Sequence, residues 1–94
     1  MIKSISGPAT NQFVTIGKSK FLGLNENLAR QRLAELSSAS SLGDFGKLNS
    51  VGLHKLRGKL RGFWSVDVHE RWRIISRFRD GNAYEVEICD THKG

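Results

Sequence analysis

Hydrophobic residues recur at helical spacing in the first third of the chain. A short apolar stretch at residues 1–5 predicts an edge strand, and Gly7-Pro8 then breaks the chain. Pro8 suits the first turn of a helix, and Gly17 suits its end. The apolar positions between them are Ala9, Phe13 and Ile16. This pattern predicts a first helix over residues 8–16.

A second apolar face begins after a polar link at residues 18–24. Asn25 is a good N-cap residue, and Glu26 in the first turn favours the helix dipole. The apolar face consists of Leu28, Ala29, Leu33 and Leu36, with Arg32 on its edge. We expect the Arg32 stem to cover apolar surface while its guanidinium stays in water. The serine-rich run at 37–41 predicts a loop.

From residue 63 the period changes to two, which is typical of strands. A turn near residues 70–71 and the Asp80-Gly81 hairpin signal divide residues 63–90 into a three-stranded antiparallel meander. The residues expected on the apolar face are Trp64, Val66, Val68, Trp72, Ile74, Ser76, Phe78, Tyr84, Val86 and Ile88. Those expected on the opposite face include Asp67, Arg73, Arg77, Ala83, Glu85, Glu87 and Cys89, with Glu85 and Glu87 as cross-strand partners for the arginines. Residues 51–56 predict a further short strand.

These elements indicate one α+β domain over residues 1–94. Two N-terminal helices should pack on one face of a small antiparallel sheet, because each element must bury its apolar side. The other sheet face should then stay open to solvent.

The charge of the chain points to an anionic partner. The formal net charge is +6 and the sequence pI is near 10.0. Eight of the fifteen Lys and Arg residues lie within residues 53–79. A basic surface of this kind suits nucleic acid, a membrane surface or an acidic protein. No apolar run approaches the ~20 residues of a spanning helix, and residues 1–10 lack the apolar core of a signal peptide, so we expect a cytoplasmic protein.

Metal and disulfide chemistry are not expected. Cys89 is the single cysteine, which excludes an intrachain disulfide and a thiolate metal site. The candidate polar residues fall instead in a basic loop and at the C-terminal end. The loop offers His54, Lys55, Arg57, Lys59 and Arg61, and the end offers Asp90, Thr91 and His92. If residues 51–56 join the sheet, these groups can converge beside Arg73.

Such a set suits metal-independent cleavage of RNA. The 2′-hydroxyl must lose a proton, the transition state gathers negative charge on phosphorus oxygens, and the 5′-oxygen must gain a proton. A carboxylate or neutral histidine can take the first proton, arginines can bind the charge, and a protonated histidine can give the last proton. Each residue alone also has an ordinary structural interpretation, as a surface histidine, a strand cap or a solvated arginine face.

Taken together, these segments resemble a known family. LHKLRG, GFWSV, WRI, RFRDGNAY and a terminal Asp-x-His occur here in the order found in HigB-type toxins of the RelE/ParE superfamily. These are the toxin halves of bacterial type II toxin–antitoxin systems. The resemblance implies a RelE-like fold and a ribosome-dependent mRNA endonuclease that enters the A site, inhibits translation and arrests growth. It also implies a helix-turn-helix antitoxin (HigA-like) whose complex with the toxin binds operator DNA.

The resemblance also implies roles for individual residues. His54, Arg73, Asp90 and His92 match the catalytic positions, with Arg73 on the scissile phosphate, His92 as general acid and either Asp90 or His54 as general base. The remaining phosphate-binding positions are Lys55, Arg57, Lys59, Arg61 and Arg77. Two positions depart from the family pattern: Arg57 replaces a lysine, and Thr91 replaces a tyrosine whose ring it cannot reproduce.

Two alternatives stay open at this point. One is a toxin of the same superfamily that poisons gyrase without cutting RNA. The other is a basic domain that binds RNA or an acidic partner without catalysis, whose affinity should fall linearly with salt on logarithmic axes.

Overall fold

The structure is a computed structural model that describes residues 1–38, 53–69 and 71–90, with His54 described by its backbone alone. The fold is α+β. Its helices are α1 (Pro8–Ile16) and α2 (Glu26–Ser38), and its strands are β1 (His54–Lys55), β2 (Trp64–Asp67), β3 (Trp72–Arg79) and β4 (Asn82–Asp90). The strands form one sheet in the order β1-β2-β3-β4, and every neighbouring pair is antiparallel.

Both helices begin as the sequence predicts. Pro8 opens α1, and Gly17 ends it in the left-handed region at φ 75°, where its N–H donates to the Phe13 carbonyl. The Asn25 side chain caps α2 by accepting a hydrogen bond from the Leu28 N–H at 3.1 Å. The second helix extends two residues beyond Leu36, into the serine-rich run.

The N-terminal stretch lies along the edge of β4, but it is joined to β4 by isolated bridges and does not form the strand that the sequence predicts. Ile2 and Ile5 form parallel bridges with Ala83 and Val86. The N–H of Lys3 donates to the Ala83 carbonyl at 2.8 Å. This pairing covers the edge of β4, so the polar backbone of that edge is satisfied within the chain.

One hydrophobic cluster draws on both helices and on the sheet. Phe13 of α1 and Leu33 of α2 share this cluster with Val66, Ile74 and Ile88, which form a cross-strand row. We call the sheet face of that row the core face and the opposite face the outer face. Among the outer-face residues, Asp67, Arg73 and Cys89 form the neighbouring row.

Tyr84 lies on the outer face, and its predicted place on the core face was wrong. A β-bulge interrupts the β3–β4 register, so that Arg77 pairs with Tyr84 and Phe78 pairs with Ala83. Glu85 adopts φ 53° at the bulge. The extra residue reverses the alternation on one side of it. Ala83 is therefore fully buried, while the Tyr84 ring joins the face of Arg77.

Arg32 is buried, although its guanidinium was expected in water. Only 5% of the residue is exposed. Its Nε donates to the Asp67 carbonyl at 3.1 Å, and its Nη1 donates to the Glu35 carboxylate at 3.0 Å. These bonds replace the lost hydration and tie α2 to the end of β2.

The outer face is not open along its whole length. At its centre Ser65 is fully buried and Ile75 is 6% exposed. These two residues pair across β2 and β3. A central position has a strand on each side and long side chains at i±2, which reduce its exposure. The accessible polar groups therefore lie toward the two ends of the outer face.

Candidate RNA-binding surface

Arg73 lies at the end of the outer face nearest the β2–β3 turn. Its Nε lies 3.7 Å from Asp67 Oδ1, in a cross-strand ion pair whose two side chains are 37% and 53% exposed. The neighbouring Cys89 adds no negative charge at neutral pH, because burial, and then the nearby Glu87 carboxylate, raises the pKa of its thiol to about 11. Because the Arg73 side chain is 37% exposed, an anion that competes with Asp67 can reach its guanidinium.

Asp90 lies at the same end of the sheet but in a different row. It pairs with Trp72, whereas Arg73 pairs with Cys89. Its Oδ2 lies 3.3 Å from Nε of Arg71, and its side chain is 17% exposed. The register thus places Asp90 one residue pair away from Arg73 in the sheet, but on the other side of the pleat.

The other expected catalytic residues are described only in part. The backbone of His54 pairs with Ser65, in the row that continues through Ile75 to Glu87. Thr91 and His92 lie outside the described residues. The catalytic assignment of this set stays a prediction.

The basic loop, residues 56–63, connects β1 to β2 and carries three exposed cations, Arg57, Lys59 and Arg61. The Leu56 N–H donates to the Phe63 carbonyl at 3.0 Å, which closes the loop around the short 3₁₀ turn Gly58–Leu60. Within residues 1–38, 53–69 and 71–90, no carboxylate forms an ion pair with the loop cations or with the adjacent Lys55. These cations are Lys55, Arg57, Lys59 and Arg61, all exposed. By contrast, Arg71, Arg73 and Arg77 each pair with an acid.

A basic cleft opens beside this loop. Its volume is ≈ 540 Å³, and it is lined by Lys55, Leu56, Arg57, Gly58 and Arg61. Three cations around one concave surface focus a positive potential, and the two arginines can bind a phosphate through two parallel hydrogen bonds. This basic cleft is the strongest phosphate-binding candidate in the described part of the chain.

The basic cleft and Arg73 lie at opposite ends of the outer face. Trp64, which follows the basic loop, pairs with Ser76, whereas Asp67 pairs with Arg73. Arg77 lies four residues beyond Arg73 on the same face, which corresponds to about 13 Å along the strand. The expected convergence of the basic loop beside Arg73 is therefore replaced by two basic regions at opposite ends of β3.

Arg77 occupies the end of the outer face next to the loop. Its Nε donates to Glu85 Oε2 at 2.8 Å, so the predicted cross-strand pair is confirmed. Its guanidinium carbon lies 4.4 Å from the centroid of the Phe63 ring. Gly62 makes this contact possible, because a Cβ on Gly62 would stand 2.6 Å from an Arg77 nitrogen. The Gly-Phe pair at 62–63 is the sequence signal for this packing, and it was not used in the prediction.

We expect Gly62→Ala to displace Arg77 and Gly58→Ala to leave it in place. Both glycines have positive φ, 95° and 69°, so each alanine should cost about 1–2 kcal/mol in unfolding free energy. Only the alanine at 62 meets the guanidinium, since nothing lies within 4 Å of a Cβ at 58. Urea unfolding gives the stability of both variants, and the NMR signal of the Arg77 Nε–H gives its position. An unchanged Arg77 signal in Gly62→Ala contradicts this packing.

No group of three or more His, Cys, Asp or Glu residues stands close enough in residues 1–38, 53–69 and 71–90 to hold a metal ion. In the same residues no helix has the length and hydropathy needed to cross a membrane.

The chain is also similar in sequence to known proteins. The chain is similar over residues 11–92 to the HigB-like toxin family, described as the RelE-like toxin of the type II toxin–antitoxin system HigB. It is also 34% identical over 61 residues to a protein of Proteus vulgaris named Endoribonuclease HigB. That match spans 65% of this chain and 65% of the relative's length. Because the family match begins within α1 and runs through α2 and all four strands, the chain belongs to the HigB-like family of RelE-like toxins from type II toxin–antitoxin systems.

Proposed function

We propose that this toxin is a metal-independent endoribonuclease that cleaves mRNA in the ribosomal A site and so inhibits translation. The observation that carries the proposal is the basic cleft, whose cations have no carboxylate partner among the described residues and border a sheet face that bears Arg73. The name of the Proteus relative supports the reaction class. Cations that are not neutralised within the protein are available for the RNA backbone.

In this proposal the two sheet faces have different tasks. The helices α1 and α2 cover the core face, where the hydrophobic cluster excludes water. RNA contacts the outer face at its two accessible ends, at Arg73 and at the basic loop, and reaches Asp90 around the end of the sheet next to Arg73. The arginines of β3 are partly balanced by Asp67 and Glu85, so the net attraction for RNA comes mainly from the loop. The basic loop therefore captures the RNA first, and Arg73 then positions the phosphate that is cleaved.

The chemistry is an attack of the 2′-oxygen on the adjacent phosphorus, with cleavage of the bond to the 5′-oxygen. Asp90 or His54 accepts the 2′-hydroxyl proton, and His92 donates a proton to the leaving 5′-oxygen. Arg73 binds the non-bridging oxygens of the scissile phosphate, where negative charge develops, and Arg57 of the basic loop binds another phosphate of the same RNA strand. The products are a 2′,3′-cyclic phosphate and a 5′-hydroxyl. Arg71, 3.3 Å from Asp90, fixes the orientation of that carboxylate.

The proposed partners follow from the toxin family. A cognate helix-turn-helix antitoxin (HigA-like) neutralises the toxin, and operator DNA is bound only through the toxin–antitoxin complex. The toxin acts in the cytoplasm, on ribosomes, and needs no cofactor or membrane. Thr91 has no part in this scheme, since its side chain offers no ring to stack on a base.

A ribosome-programmed cleavage assay tests the proposal. The purified chain is added to mRNA held on ribosomes and to the same mRNA without ribosomes, and the cut sites are mapped by primer extension. We expect cuts within the A-site codon only in the presence of ribosomes, with cyclic-phosphate and 5′-hydroxyl ends. Intact mRNA in both samples, or gyrase trapped on cleaved DNA in a parallel assay, overturns the endoribonuclease.

A further inference from the structure

We propose that a second cleft, at the β3–β4 hairpin end of the outer face, is a nucleobase-binding subsite for an RNA nucleotide that is not itself cleaved. The proposal rests on the proposed function for the identity of the ligand as RNA. We call it the hairpin cleft. Its volume is ≈ 550 Å³, and its lining includes Ser4, Gly62, Arg77, Arg79, Tyr84 and Glu85.

The hairpin cleft offers flat surfaces on which a base can stack. The guanidinium carbon of Arg79 lies 4.9 Å from the centroid of the Tyr84 ring, and that of Arg77 lies 4.4 Å from the centroid of Phe63. Bases of single-stranded RNA stack on aromatic rings and on guanidinium planes. Two such planes at one cleft favour an unstacked base over a phosphate alone.

The Tyr84 ring reaches this cleft only because of the β-bulge. Without the extra residue at Glu85, Tyr84 would share the core face with Val86. Glu85 holds φ 53°, an uncommon conformation for a residue other than glycine. Bulges often reorient a side chain next to a binding site. The Ser4 hydroxyl stabilises the bulge by accepting a hydrogen bond from the Glu85 N–H at 2.8 Å.

Polar groups in the cleft can recognise the edge of a base. The Glu85 carboxylate accepts the Arg77 hydrogen bond through Oε2. A carboxylate has about four lone-pair sites, so it can also accept from the amino or imino N–H of a base. This edge contact would favour a base that presents an N–H donor.

The place of the cleft fits a nucleotide near the cleaved bond but not directly next to it. Arg77 and Arg73 share the outer face about 13 Å apart. Gly62 belongs to the lining of the hairpin cleft, and Arg61 belongs to that of the basic cleft, so the two clefts adjoin. An RNA strand bound by Arg73 and the basic loop therefore passes this site.

The test is direct binding of an RNA that cannot be cut. A short fluorescein-labelled 2′-O-methyl RNA has no free 2′-hydroxyl, and its affinity for the full chain is measured by fluorescence anisotropy. We expect Tyr84→Leu to weaken binding roughly 5- to 100-fold, the range for loss of one stacked base. The salt dependence should not change, because no charge is lost. Tyr84→Phe keeps the ring and should bind like the unsubstituted protein.

Two controls separate stacking from charge and from folding. Inorganic polyphosphate, which has no bases, competes with the labelled RNA through charge alone. Its affinity should therefore be the same for Tyr84→Leu and Tyr84→Phe. Arg79→Lys, at an exposed position, keeps the charge but loses the planar stack, so it should also weaken RNA binding. It provides an independent measurement if Tyr84→Leu does not fold.

Equal RNA affinity in folded Tyr84→Leu and Tyr84→Phe overturns the subsite. It is also overturned if Tyr84→Leu loses polyphosphate affinity by the same factor as RNA affinity. If Tyr84→Leu fails to fold, unchanged RNA affinity in Arg79→Lys overturns it. Failure of the proposed function is distinguishable. Absence of cleavage on ribosomes removes the endonuclease and leaves this binding result standing, whereas normal cleavage with unaltered binding removes only the hairpin cleft.

Discussion

Replacing Arg73 with alanine is expected to slow mRNA cleavage on the ribosome roughly 10²- to 10³-fold, as for loss of one donor to a developing oxyanion. The guanidinium lies on the outer face, 37% exposed, where an RNA phosphate can reach it. The loss should appear in the maximal rate at saturating ribosomes more than in the apparent affinity, because the charge it binds grows in the transition state. Single-turnover cleavage of a programmed mRNA measures both.

Asp67→Asn is the matched control for Arg73. It removes the charge of the ion-pair partner while leaving Arg73 in place. If Arg73 serves the phosphate, cleavage by Asp67→Asn should stay near that of the unsubstituted protein, since an exposed pair of this kind contributes only about 0–1 kcal/mol to stability. Equal losses in the two variants would show that the ion pair itself, and not phosphate binding, is what matters.

Neutralising the basic loop together with the adjacent Lys55 is expected to weaken RNA binding on the order of 10²-fold at 0.1 M salt. The slope of log affinity against log salt should become shallower by about 3, because each phosphate contact with single-stranded RNA contributes about 0.7. The variant carries glutamine at Lys55, Arg57, Lys59 and Arg61. Anisotropy titrations with the 2′-O-methyl RNA at several salt concentrations give both quantities.

A second variant with the same change in net charge is the control for this prediction. It carries glutamine at four exposed positions of the N-terminal part, Lys3, Lys18, Lys20 and Arg30. Both variants lower the formal charge of +6 by four, so a general effect of net charge would weaken RNA binding equally in both. A loss confined to the loop variant identifies the basic loop as the RNA contact. Equal losses would contradict it.

Much of the fold was predictable because local rules agree with the tertiary structure. Pro8 and Gly17 delimit α1, and Asn25 caps α2, through backbone preferences that depend on a few neighbouring residues. Asp80 and Gly81 turn the chain between β3 and β4 with positive φ at both positions, as the hairpin signal requires. These features need no knowledge of distant parts of the chain.

The errors came from interactions between distant segments. Arg32 was placed at the edge of a helix face, and only the docking of α2 near β2 supplies the Asp67 carbonyl that allows its burial. The reversal at Tyr84 depends on the β-bulge at Glu85, which the N-terminal Ser4 supports from the neighbouring edge. A period-two pattern contains no mark for a bulge, so alternation alone assigned Ala83 and Tyr84 to the wrong faces.

The candidate site was predictable as a set of residues and not as an arrangement. The amino-acid sequence alone determined the excess of basic residues in 53–79 and the order of the HigB-type motifs. It also determined the types of group available for RNA cleavage, because charge and side-chain chemistry are properties of each residue. Only the tertiary structure decided which cations are neutralised. Strand register pairs Arg73 with Asp67 and Arg77 with Glu85 and places the basic loop at the other end of β3 from Arg73. Register depends on backbone hydrogen bonds between strands, and these fix which side chains meet across the sheet.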